Sequence, residues 1–327
     1  MADITLVEAI TLALGYEMQA DTNVIVMGED VGKDGGVFRA TLGLLDKFGP
    51  ERVLDTPLAE SMIGGLAVGM AVRGLKPVAE FQFMGFMYPA FDQIVNHAAR
   101  IRNRTRGRMS CPIVFRTPYG AGIRAPEHHS ESTEAYFAHT PGLRVVVPSS
   151  PARAYGLLLA AIRDPDPVIF LEPSRLYRYA KQEVKNDGKA LPLDVCFTLR
   201  TGEDVTLISW GAMIKETLEA SAILHQQHGI SVEVIDVATI KPLDINTILQ
   251  SVERTGRCVV IHEAPSTCGV GADIVAQIAE KALFSLKAPP IRVSGFDTIV
   301  PYARMERLYL PSVERITDAV FSLMEYA

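Results

Sequence analysis

The sequence predicts two α/β domains in tandem, each built on a parallel sheet, and three observations carry that prediction. Short, almost unbroken apolar runs recur over residues 23–173 and again over 204–295, each alternating with a longer helical or small-residue stretch. Strands without polar alternation are covered on both faces, and the intervening helices supply the cover. The pattern lapses once, over residues 174–203, which are charged and lack a sustained apolar period. Finally, 327 residues with 48% apolar and 21% charged side chains suffice for two cores and are too apolar for disorder.

Taken in order, the first domain's strands are "NVIVMGE", "RVLDT", "KPVAEFQF", "PIVFRTP", "LRVVVPS" and "PVIFLEP", with helical stretches at 60–73, 87–107 and 150–163. The interruption after Pro173 reads as a linker with one edge strand. The pattern restarts with "DVTLISWG", "SVEVIDV", "RCVVIHEA" and "PIRVSG", separated by helical runs near 213–228, 244–254 and 269–284. The boundaries this implies are 1–180, a linker over 181–202, and a smaller domain over 203–327.

Several function classes lose support at once. The net charge is −6 and no basic stripe is present, which argues against nucleic acid. Cys111, Cys196, Cys258 and Cys268 are scattered without a CxxC pair, which argues against a disulfide framework or a zinc site. The N-terminus has acids and no basic run, unlike a signal peptide. No apolar stretch reaches the roughly 18 residues a bilayer requires. The expected location is cytoplasmic, without membrane association. "GEDVGKDGG" fails as a P-loop because Lys33 is followed by Asp34, and "CGVGAD" has two of the three glycines of a dinucleotide fingerprint. HExxH, GxSxG and the EF-hand pattern are absent.

Three sites remain. Glu60 opens a helix just after a strand, at the carboxyl end where α/β sheets carry their ligands. A helix-start acid complementing the macrodipole accounts for it better on composition alone. "EFQFMGFMYPAF" supplies an aromatic cluster of which one member near a loop can stack on a planar ring. "RAPEHHSESTEAYFAH" places adjacent His128 and His129 in a loop, where a solvated pair and an acid–base role compete.

The ordered blocks GEDV, DTPLAE, EFQF with YPAFDQ, HHSES, PSSP and AIRDPDPVIFLEP, continuing through "GRCVVIHEAP" and "YLPSVERITDAV", resemble one family over essentially the whole chain. It is the β subunit of the thiamine-diphosphate-dependent decarboxylating component of 2-oxo acid dehydrogenase complexes. The resemblance implies a pyrimidine-binding, transketolase-like first domain and a smaller transketolase C-terminal-like domain. It also implies that Glu60 meets the aminopyrimidine ring of thiamine diphosphate, sharing a proton with a ring nitrogen and so activating the cofactor. Phe86 matches the residue stacked on that ring, and Glu29 and Leu58 match residues lining the pocket. His129 matches the histidine near the substrate and the lipoyl arm, where imidazole can donate to a developing alkoxide. His128 falls at a variable family position and is read as structural.

The resemblance further implies a structural potassium ion held by carbonyls or carboxylates of Ile113, Ala161, Ile162, Asp164 and Asp166. The family often has asparagine where Asp166 stands, and a turn held by Asx hydrogen bonds is the competing account. One departure matters more. Thiamine enzymes hold the diphosphate through magnesium on a GDG segment followed by NN, and this chain has neither. The implied partners are an α subunit supplying that half in a heterotetramer of two α and two β chains, and a lipoyl-bearing acyltransferase core. Pyruvate is the expected 2-oxo acid and a branched-chain substrate the alternative. A catalytically silent scaffold for the acyltransferase is the non-enzymatic alternative, and the intact Glu60, Phe86 and His129 set counts against it.

Overall fold

The computed structural model describes residues 2–326. The chain divides into two compact units, and the division is not a single cut. The first unit runs to Tyr119 and resumes over Tyr136–Leu193, while the second holds Gly120–Ala135 together with the chain from Asp194 onward.

In the first unit, β1 (Ala2–Ile4) leads into α1 (Leu6–Ala20), then β2 (Val24–Gly28), α2 (Leu44–Phe48), β3 (Val53–Asp55), α3 (Glu60–Val72) and β4 (Lys76–Glu80). There follow α4 (Ile101–Arg104), β5 (Val114–Tyr119), β6 (Arg144–Val146), α6 (Pro151–Arg163), β7 (Val168–Pro173) and β8 (Gln182–Val184), while α5 (Glu134–Ala138) lies across the boundary between the units. The strands pair in parallel in the order β6-β7-β5-β4-β2-β3. All six residues of both β5 and β7 are buried, which explains why their apolar residues do not alternate with exposed polar ones. A capping box starts α1: Thr5 N–H donates to Glu8 at 2.7 Å and Thr5 Oγ1 accepts from Glu8 N–H. Ser150 caps α6 with Pro151 at its first position. The two helices pack together, fastened where Arg163 Nε donates to buried Glu17 at 2.9 Å.

Two expectations need correction here. The helix expected over 87–107 is broken into a 3₁₀ stretch at Met84–Ala90, a wide π turn at Gln93–His97, a further 3₁₀ turn at Ala98–Arg100, and the short α4. Pro89 lies inside the first 3₁₀ stretch and lacks the amide hydrogen its ladder would use. Residues 181–202 are also more ordered than a linker. They contain β8, antiparallel to β1, and all of β9 (Phe197–Arg200), which edges the second sheet.

The second unit continues with β10 (Val205–Ser209), α7 (Met213–His228), β11 (Val232–Asp236), a short β12 (Thr239–Lys241), α8 (Ile245–Thr255), β13 (Cys258–Pro265), α9 (Val270–Ala282), β14 (Ile291–Gly295), α10 (Glu306–Tyr309) and α11 (Val313–Met324). Its sheet runs β14-β13-β10-β11-β9, parallel except for β9. Helices α7 and α11 pack together over a core that includes Leu207, Val234, Ile261, Ile316 and Leu323, and α8 packs against α9. Among the described residues, no helix is long and apolar enough to cross a membrane.

Candidate active site

The carboxyl ends of β2, β3 and β4 build an acidic corner in the first unit. Gly28 ends β2, and a Cβ there would lie 2.7 Å from the Glu80 carbonyl oxygen, so only glycine permits the approach. Glu29 follows directly. At the end of β3, Asp55 accepts from Gly32 N–H at 2.6 Å and Lys33 N–H at 3.1 Å, closing the loop after Glu29. The Thr56 amide donates to Gly28 O at 2.9 Å, tying the DTPLAE segment to β2.

Glu60 is the first residue of α3, whose preceding residue, Ala59, supplies no side-chain cap. Its carboxylate therefore sits at the positive end of the helix dipole. Glu29 and Glu60 interact: the Glu29 carboxyl is raised above its usual range by burial first, then by the charges of Asp30 and Glu60. Like charges nearby favour the protonated form of Glu29. The Thr56 hydroxyl is buried beside this segment with no hydrogen-bond partner among the described residues. Leu58, 72% exposed, stands between Thr56 and Glu60.

Phe86 reaches the same region through packing. A Cβ on Gly64 of α3 would come within 3.2 Å of both Ala90 and Gln93, so the small residues of "MIGGLAVGMAV" bring the Met84–His97 segment close to α3. Ser61 Oγ donates to Pro89 O at 2.6 Å and fixes that approach. The half-buried Phe86 ring packs edge-on against Phe83, with centroids 5.3 Å apart. The structure thus groups Glu29, Leu58, Glu60 and Phe86 in the first unit. His128 and His129 lie on the turn Glu127–His129, inside the segment that belongs to the second unit. Their rings are 5.0 Å apart, and half-exposed His128 is 3.8 Å from Glu127.

Beneath the acidic corner lies a feature the sequence reading missed. Glu80 pairs in register with Arg116, and Glu172 lies two residues beyond Arg116's own partner on β7, hence on the same face. Arg116 donates to Glu172 through Nε and Nη2, both at 2.7 Å, and through Nη1 to Glu80. The Tyr177 hydroxyl donates to Glu172 at 2.5 Å. All four residues are buried. The two carboxylates raise the Arg116 guanidinium despite its burial, while burial raises Glu80 and Tyr177. A charge at the same end of three apolar strands was the available signal.

The residues suggested for potassium are close together but largely engaged. Asp164 accepts from Arg144 at 2.9 Å and from Asp166 N–H at 2.8 Å, Asp166 accepts from Arg102 at 2.6 Å, and Ile113 O accepts from Val168 N–H at 2.9 Å. Two guanidinium groups already neutralise the two carboxylates. Among the described residues, no group of three or more His, Cys, Asp or Glu side chains is arranged to hold a metal. The end of α6, with Ala161 and Ile162, still presents the negative end of its dipole. A weakly held monovalent ion on carbonyl oxygens fits this site better than a divalent one.

This frame of parallel-sheet units with an acidic corner is that of the transketolase class. Residues 2–180 match the transketolase pyrimidine-binding domain and residues 196–316 the transketolase C-terminal domain. The solved structure titled "Split gene transketolase, inactive beta4 tetramer" shares the fold with a TM-score of 0.81 at 23% identity, covering 99% of each chain. Among curated proteins, the chain is 51% identical to the pyruvate dehydrogenase E1 component subunit beta of Acholeplasma laidlawii, covering 99% of this chain and 98% of that one. It is 46% identical to the protein of the same name in Bacillus subtilis over the full length of both. It is 50% identical to the 3-methyl-2-oxobutanoate dehydrogenase subunit beta of Mycobacterium tuberculosis, covering 97% and 91%. The chain belongs to the family of β subunits of 2-oxo acid dehydrogenase E1 components.

Proposed function

We propose that this chain is the β half of a decarboxylating 2-oxo acid dehydrogenase component, acting on pyruvate, with thiamine diphosphate bound where an α subunit meets it. The observation that carries the reading is the coupling of Glu29 to Glu60: Glu60 sits at a helix start, and Glu29 is raised by burial, then by Asp30 and Glu60. The orphaned Thr56 hydroxyl and the half-buried Phe86 ring beside α3 suit an aminopyrimidine, which has both polar edges and a flat face. When bound, the cofactor supplies the carbanion-stabilising chemistry of the thiazolium ring. Glu60 holds the proton exchanged with the pyrimidine nitrogen. Glu29 keeps that proton on the carboxylate pair, Phe86 and Leu58 exclude water from the ring, and His129 donates to the substrate oxygen.

The chain lacks GDG and NN, so magnesium and the diphosphate fall to the α subunit, and activity requires the α₂β₂ assembly. The acyl acceptor is the lipoyl arm of an acyltransferase core, and the assembly is cytoplasmic. A potassium ion on carbonyls of Ile113, Ala161 and Ile162, close to Asp164 and Asp166, completes the proposal. The Mycobacterium tuberculosis relative favours a second reading, a branched-chain 2-oxo acid as substrate. The test is a substrate panel on the assembled complex, combined with hydrogen–deuterium exchange at the thiazolium carbon. In Glu60→Gln the complex should form and hold cofactor while exchange slows by several orders of magnitude. Exchange as fast as in the parent reduces Glu60 to a helix-start acid, and preference for branched substrates selects the second reading.

A further inference from the structure

The loop that carries His129 is fastened within the second unit, and the fastening is made by acids. Gly120 N–H donates to Glu131 O at 2.9 Å, so residues 120–131 form a closed loop with its ends tied together. On its stem, the consecutive amides of Ala121 and Gly122 donate to Glu263 Oε2 and Glu306 Oε2, each at 3.1 Å. These carboxylates are only 2% and 6% exposed at the residue level. Gly120 has φ +83°, and a Cβ there would lie 2.5 Å from Glu263 Oε1, so the carboxylate presses directly on the loop backbone. Ala121 itself packs in a small apolar cluster with Tyr309 and Leu310.

The far end is fastened too. Trp210 Nε1 donates to fully buried Glu134 at 3.3 Å, four residues past Ser130. Glu263 is held in turn, because β13 and β14 approach so closely that a Cβ on Gly295 would lie 2.3 Å from Glu263 O. Buried carboxylates are costly unless hydrogen-bonded. Two of them aimed at adjacent amides of one loop stem form a rigid support with charge-assisted bonds.

We propose that Glu263 and Glu306 are positioning residues for His129, fixing the stem of its loop through the amides of Ala121 and Gly122. The proposal rests on the reading of His129 given above. A residue placed this way acts through distance: misplacement by about 1 Å can cost on the order of 10²-fold in rate.

The test is a mutant cycle on the full chain assembled with its partner subunit. Glu263→Ala should lower kcat by about 10–100-fold while cofactor binding stays close to the parent's. Glu263→Gln keeps an acceptor oxygen and should recover most of that loss. In a His129→Ala background, Glu263→Ala should cost almost nothing more, because both changes remove the same contribution. A purely structural role would lower the unfolding midpoint and leave kcat per folded site unchanged. Should Glu263→Ala fail to fold, Glu306→Ala and Glu306→Gln run the same cycle. Losses that multiply in the double variant, or a normal kcat for Glu263→Ala beside a crippled His129→Ala, overturn the positioning role alone. Normal turnover in His129→Ala overturns the reading beneath it and the proposal with it.

Discussion

His262 gives the second unit a pH-dependent stability whose size follows from its surroundings. The ring lies on β13 with no exposed surface, stacked on Trp210 at 5.2 Å between centroids and 10° between planes. A Cβ on Gly271 would come within 2.5 Å of Nε2, so the imidazole presses against the first turn of α9, the positive end of that helix. Burial pushes its pKa down from 6.5 to about 4, the Arg292 charge adds to the fall, and a backbone hydrogen bond with Ala264 opposes it. The neutral ring is therefore the native form. Unfolded chain takes up the proton near pH 6.5 and folded chain only near 4, so stability is fully present above 6.5 and falls as pH drops between these values.

The whole difference corresponds to about 3 kcal/mol, of which about 2 kcal/mol is gone by pH 5. With an m value of about 3 kcal/mol/M in urea, the midpoint should fall by about 0.7 M between pH 7 and pH 5. Trp210 is the only tryptophan and touches the histidine, so its fluorescence follows this unit and not the other. Carboxylates contribute their own slope, which a His262→Phe variant retains. The informative quantity is the difference between parent and variant. Parallel pH dependence of the two midpoints over pH 7 to 5 would refute the assignment.

Four further outcomes are expected. Arg116→Met strands Glu80 and Glu172 in the first unit's interior and should destabilise it by about 3–5 kcal/mol, read as a lower denaturation midpoint. Glu60→Gln removes one charge from beside Glu29, so the Glu29 carboxyl should titrate at lower pH by carbon-13 NMR; an unmoved Glu29 would show that the two do not interact. Gly64→Val overfills the contact with Ala90 and Gln93 and should cost about 1–3 kcal/mol, with cofactor affinity of the assembled enzyme weakened through Phe86. His129→Ala should lower turnover by about 10²–10⁴-fold and His128→Ala should have little effect; the reverse order would exchange the neighbours' roles.

The strands were legible because parallel sheets covered on both faces leave a largely apolar signature without polar alternation, seen in "PIVFRTP" and "PVIFLEP". Family membership was legible too, because the ordered blocks span the chain and the relatives match it end to end. Local breaks were less so. Apolar spacing over 87–107 looks helical, and the switches among 3₁₀, π and α turns leave no trace in that period. Long-range pairing was invisible. Glu80, Arg116 and Glu172 are 36 and 56 residues apart in sequence, and register alone makes them one cluster. The attachment of loop 120–135 to the second unit depends on Glu263 and Glu306, 142 and 184 residues from the amides they hold.

The treatment of carboxylates elsewhere in the chain sharpens the case for Glu60. Several of the acids this protein buries have a cation beside them. Glu80 and Glu172 have Arg116, Glu17 has Arg163 and Glu233 has Arg254, and even exposed Asp55 accepts from the amides of Gly32 and Lys33. At the carboxyl end of β2 the pattern reverses, because the neighbours of Glu29 that matter are two further acids, Asp30 and Glu60. A helix-start acid needs only the dipole and gains nothing from a second carboxylate, which weakens the benefit by repulsion. Burial first, and then the charges of Asp30 and Glu60, raise the affinity of Glu29 for a proton. A like charge near Glu29 costs stability at rest, and the proton-exchanging role proposed for Glu60 would put that cost to use.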